Sequence, residues 1–197
     1  MRVVYKPTRG ERPLDDFAFG TLAARERAAY LLSEASGWHI VPPTILRDGP
    51  LGPGMVQLWM DVDEDADVIE MINDGDPRLR RISLFDAIAN NADRKAGHLL
   101  PLPGGLVQGV DHGICFAVAA KLRTVLWYWH GESLEPDEVS VVAEVRRALD
   151  GSLGEQLREV LTRAEVEATK RRTDALLAER RFPEPDPRRP AIPWPPY

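Results

Sequence analysis

Five residues in this chain have side chains whose types and spacing could perform one reaction together: Lys6, Glu26, Asp93, His98 and Asp111. Phosphoryl transfer needs a carboxylate at the attacking hydroxyl, donor atoms for a divalent ion, and a cation on the nucleotide phosphates. Asp93 stands five residues before His98 in "NNADRKAGH", the interval that separates the acid from a metal ligand in such loops. Asp111 follows in "GVDHGICF", after a hairpin signal. Upstream, Lys6 lies in "VVYKP" and Glu26 in "RERAAYLLSE", so that a strand lysine precedes a helix glutamate. Taken singly, Asp93 reads as a solvated loop acid, Lys6 as a strand-edge cation and His98 as a hydrogen-bonded strand histidine. The order strand Lys, helix Glu, loop Asp, strand-end Asp carries more weight than any one of them.

Those residues need elements to hold them. "RVVYKP" is rich in β-formers and is stopped by Pro7. "DFAFGTLAARERAAYLLSEASG" carries Leu22, Ala29, Tyr30 and Leu32 to Ala35 at helical spacing, with Gly37 as the stop. "HIVPPTIL" and "GMVQLWMDV" are two strands joined by the turn-rich "RDGPLGPG". The acidic run Asp61 to Asp67 marks a linker or helix start. "RRISLFDAIANN" is a helix with Ile82, Leu84, Phe85 and Ile88 on one face, and "HLLPLPGGLVQGVD" is a hairpin turning at Gly104 and Gly105. The last third is helical: "EPDEVSVVAEVRRALDG", then one long amphipathic run from "LGEQLREVLTR" to "LLAERR". The tail "FPEPDPRRPAIPWPPY" is too dense in proline for a helix and should be extended, either recruiting a partner or packing Trp194 and Tyr197 on the body. Trp38, Trp59, Trp127 and Trp129 read as core or subdomain-interface residues, and Cys115, in an apolar run, as an inert buried thiol. The fold class expected is α+β, with 1–62 as a strand-rich N-terminal lobe, 63–182 as a helical C-terminal lobe holding the polar loops, and 183–197 as a proline-rich tail.

Composition bounds the function classes. The chain has 197 residues, 44% of them hydrophobic and 28% charged, which suits a globular domain with a real core. A net charge of -6 argues against sequence-independent nucleic-acid binding, which needs a basic surface. A single cysteine builds neither a disulfide nor a multi-cysteine zinc site. No signal peptide and no run of 18 apolar residues is visible, so the expected compartment is the cytoplasm, without stable membrane insertion.

At the residues quoted, the chain resembles the phosphatidylinositol 3- and 4-kinase-like superfamily, in the manner of type II phosphatidylinositol 4-kinases and HipA-type kinases. Their loop reads roughly N-x-D-R-x-x-x-N and their metal motif I-D-N/H-G. It resembles still more an actinobacterial kinase-like group that shares "VYKP.RGERPL", "VPPT.LRDGP.GPGMVQLW", "NNADRK.GHLL", "GVDHG.CF" and "P.IPWPP" over nearly the whole chain. The resemblance implies a truncated bilobal kinase-like fold and an ATP- and divalent-metal-dependent phosphotransferase. Lys6 would bind the phosphates and Glu26 would hold Lys6, while the backbone of Trp59, Met60, Asp61 and Val62 would receive adenine. Asp93 would orient or deprotonate the acceptor hydroxyl, with Arg94 neutralising charge on the transferred group. His98 and Asp111 would hold Mn²⁺ or Mg²⁺.

Two departures qualify that reading. His98 stands where the pattern has Asn, and an imidazole nitrogen, softer than an amide oxygen, suits Mn²⁺ or Zn²⁺ relatively better than Mg²⁺, so a preference for Mn²⁺ is expected. Only five residues precede Lys6, too few for the glycine-rich strand-turn-strand that covers phosphates in kinases; "PTRGERP" after the lysine is the segment available to fold over the site. The alternative is therefore a catalytically silent pseudokinase, a nucleotide-binding or scaffolding module. Nothing matches the cysteine-rich palmitoylation segment of type II phosphatidylinositol 4-kinases, and the acceptor is open among protein hydroxyls, small metabolites and lipids.

Overall fold

A computed structural model describes all 197 residues. The fold is α+β. Strand β1 (Val3–Pro7) is followed by a single 3₁₀ turn, Thr8–Gly10, and by helix α1 (Leu22–Ala35). Strands β2 (Thr44–Gly49) and β3 (Gly52–Leu58) form the expected hairpin. β3 is central and antiparallel to both neighbours, which gives the order β1-β3-β2 and sets Lys6 opposite the fully buried Met55.

Two short-range signals explain the next helices. α2 (Val68–Asp74) begins where Asp67 accepts from the backbone N–H groups of Ile69 and Glu70. α3 (Pro77–Ala89) begins with Asp76 accepting from Arg78 N–H, and Pro77 at the first position has no amide to leave unpaired. α3 ends at Asn90, which adopts the left-handed conformation (φ 53°). Its side chain donates to the carbonyls of Ala117 and Ala119 and accepts from Lys121 N–H, so one amide closes the helix and fixes a distant loop.

A second small hairpin, β4 (Leu99–Pro101) and β5 (Val107–Gly109), follows a 3₁₀ turn at Ala96–His98. α4 (Pro136–Asp150) opens with a reciprocal cap between Glu135 and Glu138. The long helix expected beyond it is two helices, α5 (Ser152–Arg158) and α6 (Arg163–Glu179). Thr162 breaks the run because its hydroxyl accepts from Glu165 N–H while the Glu165 carboxylate accepts from Thr162 N–H, a capping box that "TRAE" spells out.

The main apolar core is one cluster of 30 buried residues running from Ala28 on α1 to Phe182, so α1 shares its core with the C-terminal helices rather than with the sheet alone. A buried Arg25–Glu165 ion pair also ties α1 to α6. Trp38 and Trp129 are buried as expected, whereas Trp59 is 49% exposed and lies under the Arg2 guanidinium. Cys115 is fully buried, and burial raises its thiol pKa well above the usual value. The tail is extended and lies along the body: Ala191 O accepts from Thr124 N–H and from the Trp127 indole, and Pro196 O accepts from Ala96 N–H. Of the two arrangements expected for the tail, packing of Trp194 and Tyr197 on the body is not seen: both project into solvent, 88% and 75% exposed. No helix is long and apolar enough to cross a membrane.

Candidate functional site

A cleft of about 660 Å³ opens between β1, the segment that follows it, the first turn of α1, and the loops at Asp93 and Asp111. Lys6, Glu26, Asp93 and Asp111 all line it. The Lys6 ammonium donates to Glu26 Oε1 and to Asp111 Oδ1, each at 2.9 Å. The two carboxylates come from positions 20 and 105 residues away in sequence. Burial opposes the charge on Lys6, but Glu26 and Asp111 together hold its pKa above the ordinary lysine value. Burial also works against the Asp111 carboxylate, yet the Lys6 ammonium keeps its pKa below the usual range, leaving it ionised at neutral pH. Asp111 takes a left-handed backbone conformation (φ 62°), which aspartate tolerates better than most residues and which is characteristic of sites where geometry outweighs local comfort.

Glu26 is buried, and burial raises its pKa against the pull of Lys6. Its second oxygen accepts from His112 N–H at 2.9 Å, so one carboxylate links Lys6 to the loop that carries Asp111. Asp93 is a quarter exposed, with the Lys95 ammonium 3.5 Å from Oδ2 and its own N–H donated to Asn91 Oδ1.

Arg94 does not do what the sequence suggested. Its side chain has no exposure and does not line the cleft, so it cannot reach a transferred group. It grips Asp86 with two bonds (Nε to Oδ2 2.9 Å, Nη2 to Oδ1 2.8 Å) and donates further to Val110 O and to His112 Nε2. Gly109 makes room for it, because a Cβ there would stand 3.0 Å from the guanidinium. Arg94 is thus a brace that fixes the Asp93 loop to α3 and to the Asp111 loop. Asp86 was missed in the sequence, although its place four residues after Ile82, within the apolar face of α3, signals a buried acid in need of a partner.

His112 is wholly buried, with Nε2 facing Arg94 and Nδ1 without a hydrogen-bond partner, 4.0 Å from Glu26 Oε2. Burial, reinforced by the Arg94 charge, depresses its pKa well below the usual histidine value, and burial depresses that of His98 too. Both rings therefore stay neutral in the fold at pH values where the unfolded chain protonates. Because the unfolded state then binds more protons, stability should fall as pH drops below about 6.5, by up to about 1.4 kcal/mol per pH unit for each ring. Thermal unfolding followed from pH 7 to pH 5 should show this decline, and His112→Phe should make it shallower, leaving the share of His98.

His98 Nε2 and Asp111 Oδ2 stand 3.5 Å apart, close to the spacing of two neighbouring ligands on one cation. His98 Nδ1 accepts a long bond (3.4 Å) from Lys95 N–H, which places the ring proton on Nε2; holding a cation through Nε2 would require the other tautomer and the loss of this bond. No cluster of three or more His, Cys, Asp or Glu side chains forms anywhere in the chain. His98 and Asp111 have no third such side chain beside them, and His98 is not among the residues that line the cleft.

Trp59, Met60, Asp61 and Val62 form the connector leaving β3 and do not line the cleft; Asp61 is held by Arg2 and by the Trp59 indole. The segment after β1 does line it, through Gly10, Glu11, Arg12 and Leu14. Glu11 accepts from Ala23 N–H at 3.0 Å and Leu22 N–H at 3.3 Å, which fastens this segment to the start of α1. Arg12 pairs with no carboxylate.

No protein-family profile matches the chain. Among curated proteins, Protein Rv2133c of Mycobacterium tuberculosis is 42% identical over 232 aligned positions, which take in all of this chain and 83% of the relative.

Proposed function

The chain belongs to the family of Rv2133c, and we propose from its own site that it is an ATP- and divalent-metal-dependent phosphotransferase, with a bilobal fold of the phosphatidylinositol 3- and 4-kinase-like type. The observation that carries this reading is the Lys6 ammonium shared at 2.9 Å between Glu26 and Asp111, on a cleft that Asp93 also lines. A helix carboxylate that fixes a strand lysine, beside an ionised aspartate, is what a triphosphate with its cation requires. When the cation binds, Lys6 would exchange its bond to Asp111 for phosphate oxygens while Glu26 keeps it in place.

The residues that would hold the cation are Asp111 and His98, and it would supply charge neutralisation at the phosphates. Asp93 would accept the proton of the acceptor hydroxyl as its oxygen attacks the γ-phosphorus and the bond to ADP breaks. Cover for the phosphates would come from the segment Thr8–Leu14, which Glu11 pins to α1, with Arg12 free to meet their charge. Trp59, Met60, Asp61 and Val62 take no part in this proposal, because they do not line the cleft. The second reading, a silent nucleotide-binding module, is favoured by the sparse donor set, since His98 and Asp111 find no third side chain to complete them.

ATP with Mn²⁺ should raise the thermal midpoint, more than ATP with Mg²⁺ because of the imidazole donor, and Asp111→Ala should abolish the shift. At a ligand concentration one hundred times Kd the expected stabilisation is about 2.7 kcal/mol. Transfer of labelled γ-phosphate then separates the enzyme from the silent binder. Absence of any shift in the wild-type protein would refute both readings.

A further inference from the structure

A cavity of about 300 Å³ adjoins the cleft. Leu14 and Ile114 line both, and consecutive residues of one loop divide them: Ala92 faces the smaller cavity, Asp93 the larger cleft. Three cations, Lys121, Arg123 and Arg189, line the cavity against one carboxylate, Asp16. Lys121 is paired with Asp16, and Arg189 has Asp186 at 3.9 Å. Arg123 has no carboxylate partner. Its Nε donates to Ala92 O at 2.8 Å, which anchors the guanidinium at the loop and leaves its two terminal nitrogens without a protein acceptor. Its backbone is fixed as well, with Arg123 N–H on Asn91 O and Arg94 N–H on Arg123 O. The positive wall of the cavity is therefore held in register with Asp93 by main-chain bonds.

This concentration of cations stands on a chain of net charge -6, so composition does not account for it. A guanidinium with its edge free suits a phosphate, which it can bind through two parallel bonds, while Lys121 and Arg189, each offset by a carboxylate, add hydrogen-bond donors rather than net charge. The volume admits a compound of about the size of a sugar phosphate and excludes a folded partner.

We propose that this cavity is the acceptor site, and that the acceptor is a small phosphomonoester carrying a free hydroxyl. Its phosphate rests on Arg123, Lys121 and Arg189, and its hydroxyl passes between Leu14 and Ile114 toward Asp93. The hydroxyl oxygen forms the new bond to the γ-phosphorus of ATP, the bond from that phosphorus to the bridging oxygen breaks, ADP leaves, and the proton goes to the Asp93 carboxylate. This assignment rests on the phosphotransferase reading above.

The test is binding of glycerol 3-phosphate, with glycerol as the neutral control, to the full chain without nucleotide. Vesicles containing phosphatidylglycerol serve as a lipid-borne alternative, and the ATP and Mn²⁺ thermal shift of the wild-type protein is read in the same series. Glycerol 3-phosphate should bind and glycerol should not, and Arg123→Gln should weaken the ester about tenfold. Arg189→Gln, on a half-exposed side chain of the tail, should also weaken it and guards against misfolding of the first variant. A normal ATP shift with no preference for the ester, or with both variants binding it as the wild type does, overturns the acceptor assignment and leaves the phosphotransferase reading standing. Binding of the chain to the vesicles without binding of the soluble ester overturns the small-molecule assignment. Absence of the ATP shift defeats the reading and the acceptor site together.

Discussion

Asp93→Asn is expected to lower γ-phosphate transfer by about 10²–10⁴-fold while the thermal shift from ATP and metal persists. The substitution keeps the shape of the side chain and removes its capacity to take a proton. Asp93 contributes no bond to Lys6, and its nearest ionic neighbour is Lys95 at 3.5 Å, so the triad of Lys6, Glu26 and Asp111 survives the change. Single-turnover measurements with labelled ATP separate the two effects. A variant that binds ATP and still turns over at the wild-type rate would remove Asp93 from the chemistry.

Arg94→Met is expected to destabilise the fold by about 3–5 kcal/mol, because it leaves the Asp86 carboxylate buried without its partner. Both side chains have no solvent exposure, and the same guanidinium serves Val110 O, His98 O and His112 Nε2, so five acceptor atoms lose a donor at once, of which Asp86 Oδ1 keeps the Asn91 amide and His98 O keeps Val110 N–H. For a chain of this size the loss should lower the melting temperature by about 10 °C. The double variant Asp86→Leu with Arg94→Met should recover part of the loss, since it removes the orphaned charge. A melting temperature unchanged in Arg94→Met would show that the brace has no energetic role.

Much of this architecture was legible from sequence because local rules govern it. β1 ends at Pro7, α1 stops ahead of Gly37, the β2–β3 hairpin turns within "RDGPLGPG", and β4–β5 turns at Gly104 and Gly105, both of which take positive φ. The meeting of Lys6 with Glu26 and Asp111 was also anticipated, through the order in which residue types appear. What escaped was decided by tertiary contact. The Arg94 side chain turns inward because Asp86 waits on α3, and a neighbour in sequence such as Asp93 gives no hint of that. Trp59 is exposed because the connector after β3 runs over the surface, where Arg2 rather than the core covers its ring. The break between α5 and α6 was present in "TRAE", but the helix-forming composition on either side masked it.

The amide of Asn90 has a consequence for chemical ageing. Asparagine degrades when the following backbone nitrogen attacks its side-chain carbonyl, and a flexible Asn-Asn step in a loop would be vulnerable. Here the Asn91 nitrogen is committed to Asp86 O, and the Asn90 side chain is locked by three bonds in a buried, left-handed position. The geometry that shapes the loop should therefore also slow deamidation, and a protein stored for long periods should accumulate isoaspartate elsewhere before it does so at this step.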